Sequence, residues 1–163
     1  MADDVRGIEI VAIRLDPLAN TPAMRLREIE GDRREFDIFI GAPEASSIHT
    51  ALEGAEMPRP LTHDLFVMTL QRLDVTISKV CITEVVDGTY YAEMHLESAT
   101  GVHVISCRPS DGVAVAVRAE CPIYASVDIL DAVGEAPESD GAEEILEEFK
   151  DFIENISPED FGR

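Results

Sequence analysis

The chain has 163 residues, of which 45% are hydrophobic, so it is long enough for one domain with a buried core and too apolar for wholesale disorder. The 33 acidic residues outnumber the 13 basic ones and give a net charge of −20. No run approaches the roughly 20 apolar residues that span a bilayer, and the acidic start does not look like a signal peptide. A cytoplasmic protein with no membrane segment is expected.

The first half predicts three strands followed by a helix. Branched apolar residues over 8–15, a second run over 24–29 and an alternating run over 36–40 are typical of strands. Helical spacing follows from Ala45 to Leu52, after a break that contains Glu44. A second helix is predicted over residues 59–73, with Thr62 suited to the N-cap and Asp64 in the first turn.

The second half repeats this order. Strands are predicted over 79–86 and 89–97, and Asp87-Gly88 between them is the strongest short hairpin signal available. A strand over 102–107 precedes a helix that has Pro109 at its first position, and a short last strand covers 121–124.

Short turns between consecutive strands favour a mostly antiparallel sheet with helices packed on it, so the predicted fold class is α+β. The two halves align with Glu44 on Asp111, which indicates an internal duplication of a β-β-β-α unit. The domain is expected to cover residues 1–133. An acidic linker over 134–141 would follow, and then an amphipathic acidic helix over 142–163 that docks on the domain.

The acids are spread along the whole chain, and only two of the 13 bases are lysine, Lys79 and Lys150. This pattern is that of a protein from a high-salt cytoplasm. At about 1 M salt the screening length falls to about 3 Å, so the net charge does not exclude a nucleic-acid substrate.

Several motifs stand in order along the chain: RPLTHDL (59–65), DGTYYA (87–92), RPSD (108–111), CPIY (121–124) and the tail around FK (149–150) and SPEDF (157–161). Together they resemble the bifunctional nuclease family across about residues 7–161. The resemblance implies an α+β domain, commonly a homodimer, with RNA or DNA as the substrate of some members.

Phosphodiester cleavage needs a group that activates the nucleophile and positive charge for the phosphate. Arg108 suits a phosphate clamp, Asp111 suits a base or a metal ligand, and Ser110 lies between them. The alternative is equally concrete, because a proline at the first position and an acid two residues later also describe an ordinary helix start.

His63 and Asp64 raise the same choice. His63 is a candidate general base or metal ligand, but adjacent helical residues do not face each other, so both residues could simply open a helix. If the two helix starts meet, Glu44 and Asp111 would form an acidic pair able to bind Mg²⁺ or Mn²⁺.

A last candidate depends on strand register. If Leu96 lies opposite Val102, then His95 lies opposite His103, and with nearby glutamates the pair could hold Zn²⁺ or Mn²⁺. A solvated polar face is the favoured interpretation of these histidines. The leading hypothesis for the whole chain is a metal-assisted nuclease, and its competitor is a non-catalytic dimeric scaffold or ligand-binding module.

Overall fold

The computed structural model describes residues 4–137, which form one seven-stranded sheet and four helices. The α+β class predicted from the sequence is confirmed, and every strand pair but one is antiparallel within these residues. The strands are β1 (Val5–Asp16), β2 (Thr21–Glu28), β3 (Glu35–Phe39), β4 (Thr76–Val86), β5 (Thr89–Ser98), β6 (Gly101–Cys107) and β7 (Ile123–Ser126).

Three longer helices and one short one accompany the sheet. They are α1 (Ala42–Leu52), α2 (Thr62–Arg72), α3 (Pro109–Ala119) and α4 (Val127–Val133). Among residues 4–137, no helix has the length and apolar character needed to cross a membrane.

The strands lie in the order β3-β2-β1-β7-β4-β5-β6, so two three-stranded meanders flank β7. Each meander leads into a helix, α1 two residues after β3 and α3 one residue after β6, and the two helices pack against each other. This arrangement agrees with the predicted repeat of a β-β-β-α unit. The strand β7 pairs parallel with β4 and antiparallel with β1.

The hairpin between β4 and β5 forms where the sequence predicted it. Asp87 and Gly88 have φ angles of +50° and +78°, the left-handed conformation that a two-residue hairpin turn requires at both positions. Since Asp tolerates this region and Gly adopts it without steric cost, the dipeptide fixes the turn.

The core lies between the sheet and helices α1 and α3, where alternate strand residues meet the apolar helix faces. Helix α3 comes so close to β4 that a Cβ atom on Gly112 would lie 2.8 Å from Cγ1 of Val80 and 3.2 Å from Sγ of Cys107. A larger side chain at this position would push the helix away from the sheet. Fully buried side chains include Met24, Leu26, Ile48, Val80, Ile82, Val113 and Val115.

The sheet is strongly curved. The Phe36 ring of β3 stacks on the Tyr90 ring of β5 with 6.1 Å between centroids, although four strands separate β3 from β5 in the sheet. This curvature brings the end of β3 and the β4–β5 hairpin beside the start of α3, where they line a common groove.

The end of the domain differs from the sequence prediction. The last strand covers Ile123–Ser126 and lies in the centre of the sheet, and helix α4 follows it where no helix was predicted. Beyond α4, Glu135 pairs with Glu35 of β3. The predicted helix over 142–163, and the predicted linker from residue 138 onwards, lie outside the described residues.

The predicted register of β5 and β6 is wrong by one residue. Leu96 pairs with His103 and His95 pairs with Val104, so the two histidines lie on opposite faces and form no common site. The prediction assumed that β6 buries one face. Instead β6 is an edge strand whose apolar side chains are largely exposed, 65% for Val102 and 53% for Val104, so burial could not set its register.

Candidate active site

The starts of helices α1 and α3 converge on one guanidinium group. Glu44 and Asp111 both occupy the third helical position, and Arg108 is the N-cap residue of α3. Arg108 contacts Oε1 of Glu44 through Nη1 at 3.1 Å. It binds Asp111 twice, from Nε to Oδ2 at 2.8 Å and from Nη2 to Oδ1 at 3.1 Å. The two carboxylates are therefore bridged by an arginine.

Helix α2 adds a histidine to this cluster. Nε2 of His63 lies 2.9 Å from Oδ1 of Asp111, and Nδ1 lies 2.7 Å from Oγ of Ser47 on α1. The His63 side chain is only 16% exposed. Its ring is thus held at both nitrogens by residues from two other helices.

These contacts determine which nitrogen of His63 carries the proton in the neutral ring. Partial burial of Asp111 opposes its ionisation, but hydrogen bonds from Arg108 and His63 outweigh burial and lower the pKa of Asp111. An ionised carboxylate only accepts hydrogen bonds, so Nε2 must donate to it. Nδ1 then carries the free lone pair and accepts a hydrogen bond from the Ser47 hydroxyl group, which is the arrangement of a general base.

The cluster lies in an open cleft of about 350 Å³. Arg108, whose side chain is 64% exposed, also borders a second groove of about 440 Å³ that runs between β3, the β4–β5 hairpin and the start of α3. A larger hollow of about 610 Å³ lies elsewhere, and its Glu28 and Arg34 side chains bind each other. The first cleft is lined by Pro43, Glu44, Ser46, Ser47, Leu61, Thr62, His63, Arg108 and Asp111.

A second arginine holds the three helices in place. Arg118 of α3, with a side chain 9% exposed, donates from Nε to Oδ1 of Asp64 on α2. It also donates from Nη2 to the carbonyl oxygen of Ser47 on α1 at 3.2 Å and from Nη1 to that of Ala114 at 2.9 Å. The hydrogen bond from Arg118 is the largest cause of the lowered pKa of Asp64.

Asp64 also closes the start of its own helix. Its Oδ2 accepts a hydrogen bond from the backbone N–H of Leu61 at 2.8 Å, and Leu61 is the N-cap residue. The prediction that Thr62 is the N-cap is wrong by one position, because the Asp64 carboxylate supplies the capping hydrogen bond. Asp64 therefore joins helices, and it is not one of the residues that line the cleft.

The structure brings four of the sequence-predicted site residues together: Glu44, His63, Arg108 and Asp111. Ser110 is 6% exposed and borders the neighbouring groove instead. Sequence reasoning missed Ser47. The available signal was its position three residues after Glu44, which places both side chains on the same helix face.

The two predicted metal ligands do not fit a metal ion as they are arranged. The guanidinium group of Arg108 binds both Glu44 and Asp111. Across residues 4–137, no three His, Cys, Asp or Glu side chains are grouped so that they could hold a metal ion. A Mg²⁺ or Mn²⁺ cofactor stays a prediction.

An acid–base cluster in a cleft beside an exposed arginine has the features by which a candidate active site is recognised. Residues 24–138 match the family described as the bifunctional nuclease domain. Two proteins of Mycobacterium tuberculosis are each 36% identical to the chain, with 94% of this chain and 96% of the relative aligned. They are named Uncharacterized protein MT1877 (strain CDC 1551 / Oshkosh) and Uncharacterized protein Rv1829 (strain ATCC 25618 / H37Rv). The chain belongs to the bifunctional nuclease domain family.

Proposed function

We propose that the protein is a nuclease that cleaves phosphodiester bonds of RNA or DNA in the cleft between α1, α2 and α3. One observation supports this most: Asp111 holds His63 in the tautomer that leaves Nδ1 basic, inside a cleft that Arg108 borders. In this proposal His63 moves the proton, Asp111 orients it, and Arg108 balances the charge that develops on the phosphate.

Arg108 and the grooves beside it also suggest how a strand is held. The guanidinium group lies where the two grooves meet, so a phosphate bound to it would have one neighbouring nucleotide in each groove. The second groove includes Phe39 and Tyr90, and aromatic rings are common contacts for nucleic-acid bases.

The test is a cleavage assay in high KCl with labelled RNA, single-stranded DNA and double-stranded DNA. Each substrate is incubated with Mg²⁺, Mn²⁺ or EDTA, which tests the predicted metal in the same experiment. We expect His63→Gln and Asp111→Asn to lower the rate at least about 100-fold, the usual effect of losing a general base. His49→Gln, an exposed histidine elsewhere on α1, is the matched control and should cleave like the wild type.

Equal cleavage by all variants would indicate a contaminating nuclease or another site. No cleavage under any condition by the folded protein would contradict the proposed function.

A dimeric scaffold is the second candidate, and the edge strand β6 supports it. Its outer backbone edge has no strand partner within residues 4–137, and Val102 and Val104 expose apolar surface beside that edge. Such an edge can pair with the same edge of a second copy. Light scattering after size exclusion would test this: the wild type should have twice the mass of Val104→Lys, and a monomeric wild type would contradict it.

A further inference from the structure

The hydroxyl group of Ser47 makes an unusual contact for a helical residue. Ser and Thr side chains inside helices often bind the carbonyl group one turn earlier. Thr50 does so with Ser46 at 2.8 Å, and Thr69 with Leu65 at 2.7 Å. Ser47 lies in the same kind of helix position, but its Oγ lies 2.7 Å from Nδ1 of His63.

The position of the proton on the His63 ring determines which way a proton can move between Ser47 and His63. Nε2 of His63 keeps its proton and donates it in a hydrogen bond to Asp111, so the only basic nitrogen of the neutral ring is Nδ1. The group within hydrogen-bond distance of Nδ1 is the Ser47 hydroxyl. A base at this position therefore removes its first proton from Ser47. Compared with the serine protease triad, the two ring nitrogens have exchanged roles, but the chain of contacts is the same.

The backbone of Ser47 is fixed in position, while its side chain remains accessible from the cleft. Arg118 donates to its carbonyl oxygen, and the next residue, Ile48, is fully buried in the core. The Ser47 side chain itself remains partly exposed and lines the cleft that contains Arg108. A nucleophile needs this combination of a fixed backbone and an accessible oxygen.

We propose that Ser47 is the nucleophile of the phosphodiester cleavage and carries a covalent intermediate. This inference rests on the proposed nuclease function and extends it. Oγ of Ser47 attacks the phosphorus atom and forms a P–O bond, while its proton passes to Nδ1 of His63. The bond from phosphorus to the leaving nucleoside oxygen breaks, and that oxygen takes the proton from His63.

Water then hydrolyses the covalent intermediate on Ser47. It attacks the phosphorus atom and gives its proton to Nδ1, and the bond from phosphorus to Oγ breaks as Oγ regains that proton. One product strand ends in a phosphate monoester and the other in a hydroxyl group. Atoms and charges balance without a further reactant.

The stereochemistry at phosphorus tests this with the wild-type chain. The probe is an oligonucleotide with one phosphorothioate of defined configuration, cleaved in ¹⁸O-water, and the neighbouring sugar lacks a 2′-hydroxyl group that could itself attack the phosphorus atom. Two displacements through Ser47 give retention of configuration, whereas direct attack by water gives inversion. Inversion with full cleavage would overturn the Ser47 proposal and leave the nuclease proposal intact.

A labelling experiment covers the case in which no nuclease activity is found. A fluorophosphonate probe reacts with activated serines by losing fluoride, and peptide mapping by mass spectrometry locates the adduct. We expect the adduct on Ser47, loss of labelling in Ser47→Ala and His63→Gln, and normal labelling in Ser106→Ala, an exposed serine on β6 outside the cleft that serves as the control. Labelling of Ser47 in a chain that does not cleave nucleic acid would support the nucleophile while rejecting the nuclease. No adduct on Ser47 in such a chain would overturn both.

Discussion

Arg108 is shared unequally between its two carboxylates. Asp111 receives two hydrogen bonds from it, whereas Glu44 receives one contact at 3.1 Å from an exposed guanidinium. A substrate phosphate that reaches Arg108 would displace Glu44 before Asp111, because the single contact with Glu44 is easier to replace than the two hydrogen bonds to Asp111. Glu44 therefore acts against anion binding in the absence of substrate.

We expect Glu44→Gln to tighten substrate binding. An ion pair whose arginine is exposed to solvent is worth about 0.2–1 kcal/mol, so removing the Glu44 charge should lower KM by up to about fivefold and leave kcat within about twofold. Steady-state kinetics on a labelled oligonucleotide checks this, with Glu53→Gln at the end of the same helix as the control. Loss of activity in Glu44→Gln alone would instead point to Glu44 as a metal ligand.

Glu28 is a buried carboxylate whose charge contributes to stability. It accepts hydrogen bonds from Nε and Nη2 of Arg34 at 2.9 and 3.0 Å, and these hydrogen bonds are the largest cause of its lowered pKa. Because the folded pKa lies below the ordinary value of about 4.3, this stabilisation is complete above that pH. It is lost as the pH falls through the folded pKa.

We expect Glu28→Gln to lower the free energy of unfolding by about 2–3 kcal/mol at pH 7, since a mostly buried arginine loses its main partner. The difference between variant and wild type should shrink as the pH is lowered below about 4. Urea denaturation at pH 7 and pH 3.5 measures this. A difference that does not change with pH would contradict the assignment.

At the scale of elements, the candidate site depends on how three helices meet. Arg118 contacts α1, α2 and its own helix α3, so one side chain fixes the position of Ser47 and the start of α2, from which His63 projects. The distances within the candidate site are therefore set by Arg118, which is not itself one of the residues that line the cleft. Asp64, which was predicted as a site residue, serves this arrangement.

We expect Arg118→Met to cost about 2–3 kcal/mol of unfolding free energy, the usual effect of removing charged hydrogen bonds to partly buried groups. It should also lower kcat by more than KM changes, because the helices lose their alignment. Denaturation and kinetics together check this, with the exposed Arg72→Met on α2 as the control. An unchanged kcat would show that α1 and α2 keep their places without Arg118.

The sequence predicted local elements well because their signals are local. Alternation, the Asp87-Gly88 turn and Pro109 each act within a few residues, and the corresponding strands, hairpin and helix are all present. The central position of β7, the register of β6 and the contact of Ser47 with His63 depend on residues far apart in the chain. No short sequence pattern carries that information. For β6, burial of one face could not indicate the register either, because its apolar side chains are largely exposed.

Across the whole chain the 33 acids outnumber the 13 bases by 20, so most carboxylates have no basic partner. Within residues 4–137, ion pairs with carboxylates hold seven arginines: Arg14, Arg25, Arg27, Arg33, Arg34, Arg108 and Arg118. The remaining acids repel one another in the compact state, and salt screens this repulsion.

We expect the melting temperature to rise steeply with KCl between 0.1 and about 2 M, because screening relieves this repulsion. Thermal denaturation followed by circular dichroism measures this, and NaCl at the same concentrations separates screening from a specific effect of potassium. Full stability in dilute buffer would contradict the high-salt interpretation.

The place of β7 in the sheet also constrains how the chain is made. Ile123 pairs with Ile8 on one side and with Val80 on the other, so the strand that joins the two meanders leaves the ribosome after both of them. Until then the edges of β1 and β4 that pair with β7 have no partner, although β1 is the first strand to be synthesised. Such long-range pairing slows folding, and unpaired edges favour aggregation. The nascent chain is therefore most prone to aggregate just before residue 126 emerges from the ribosome.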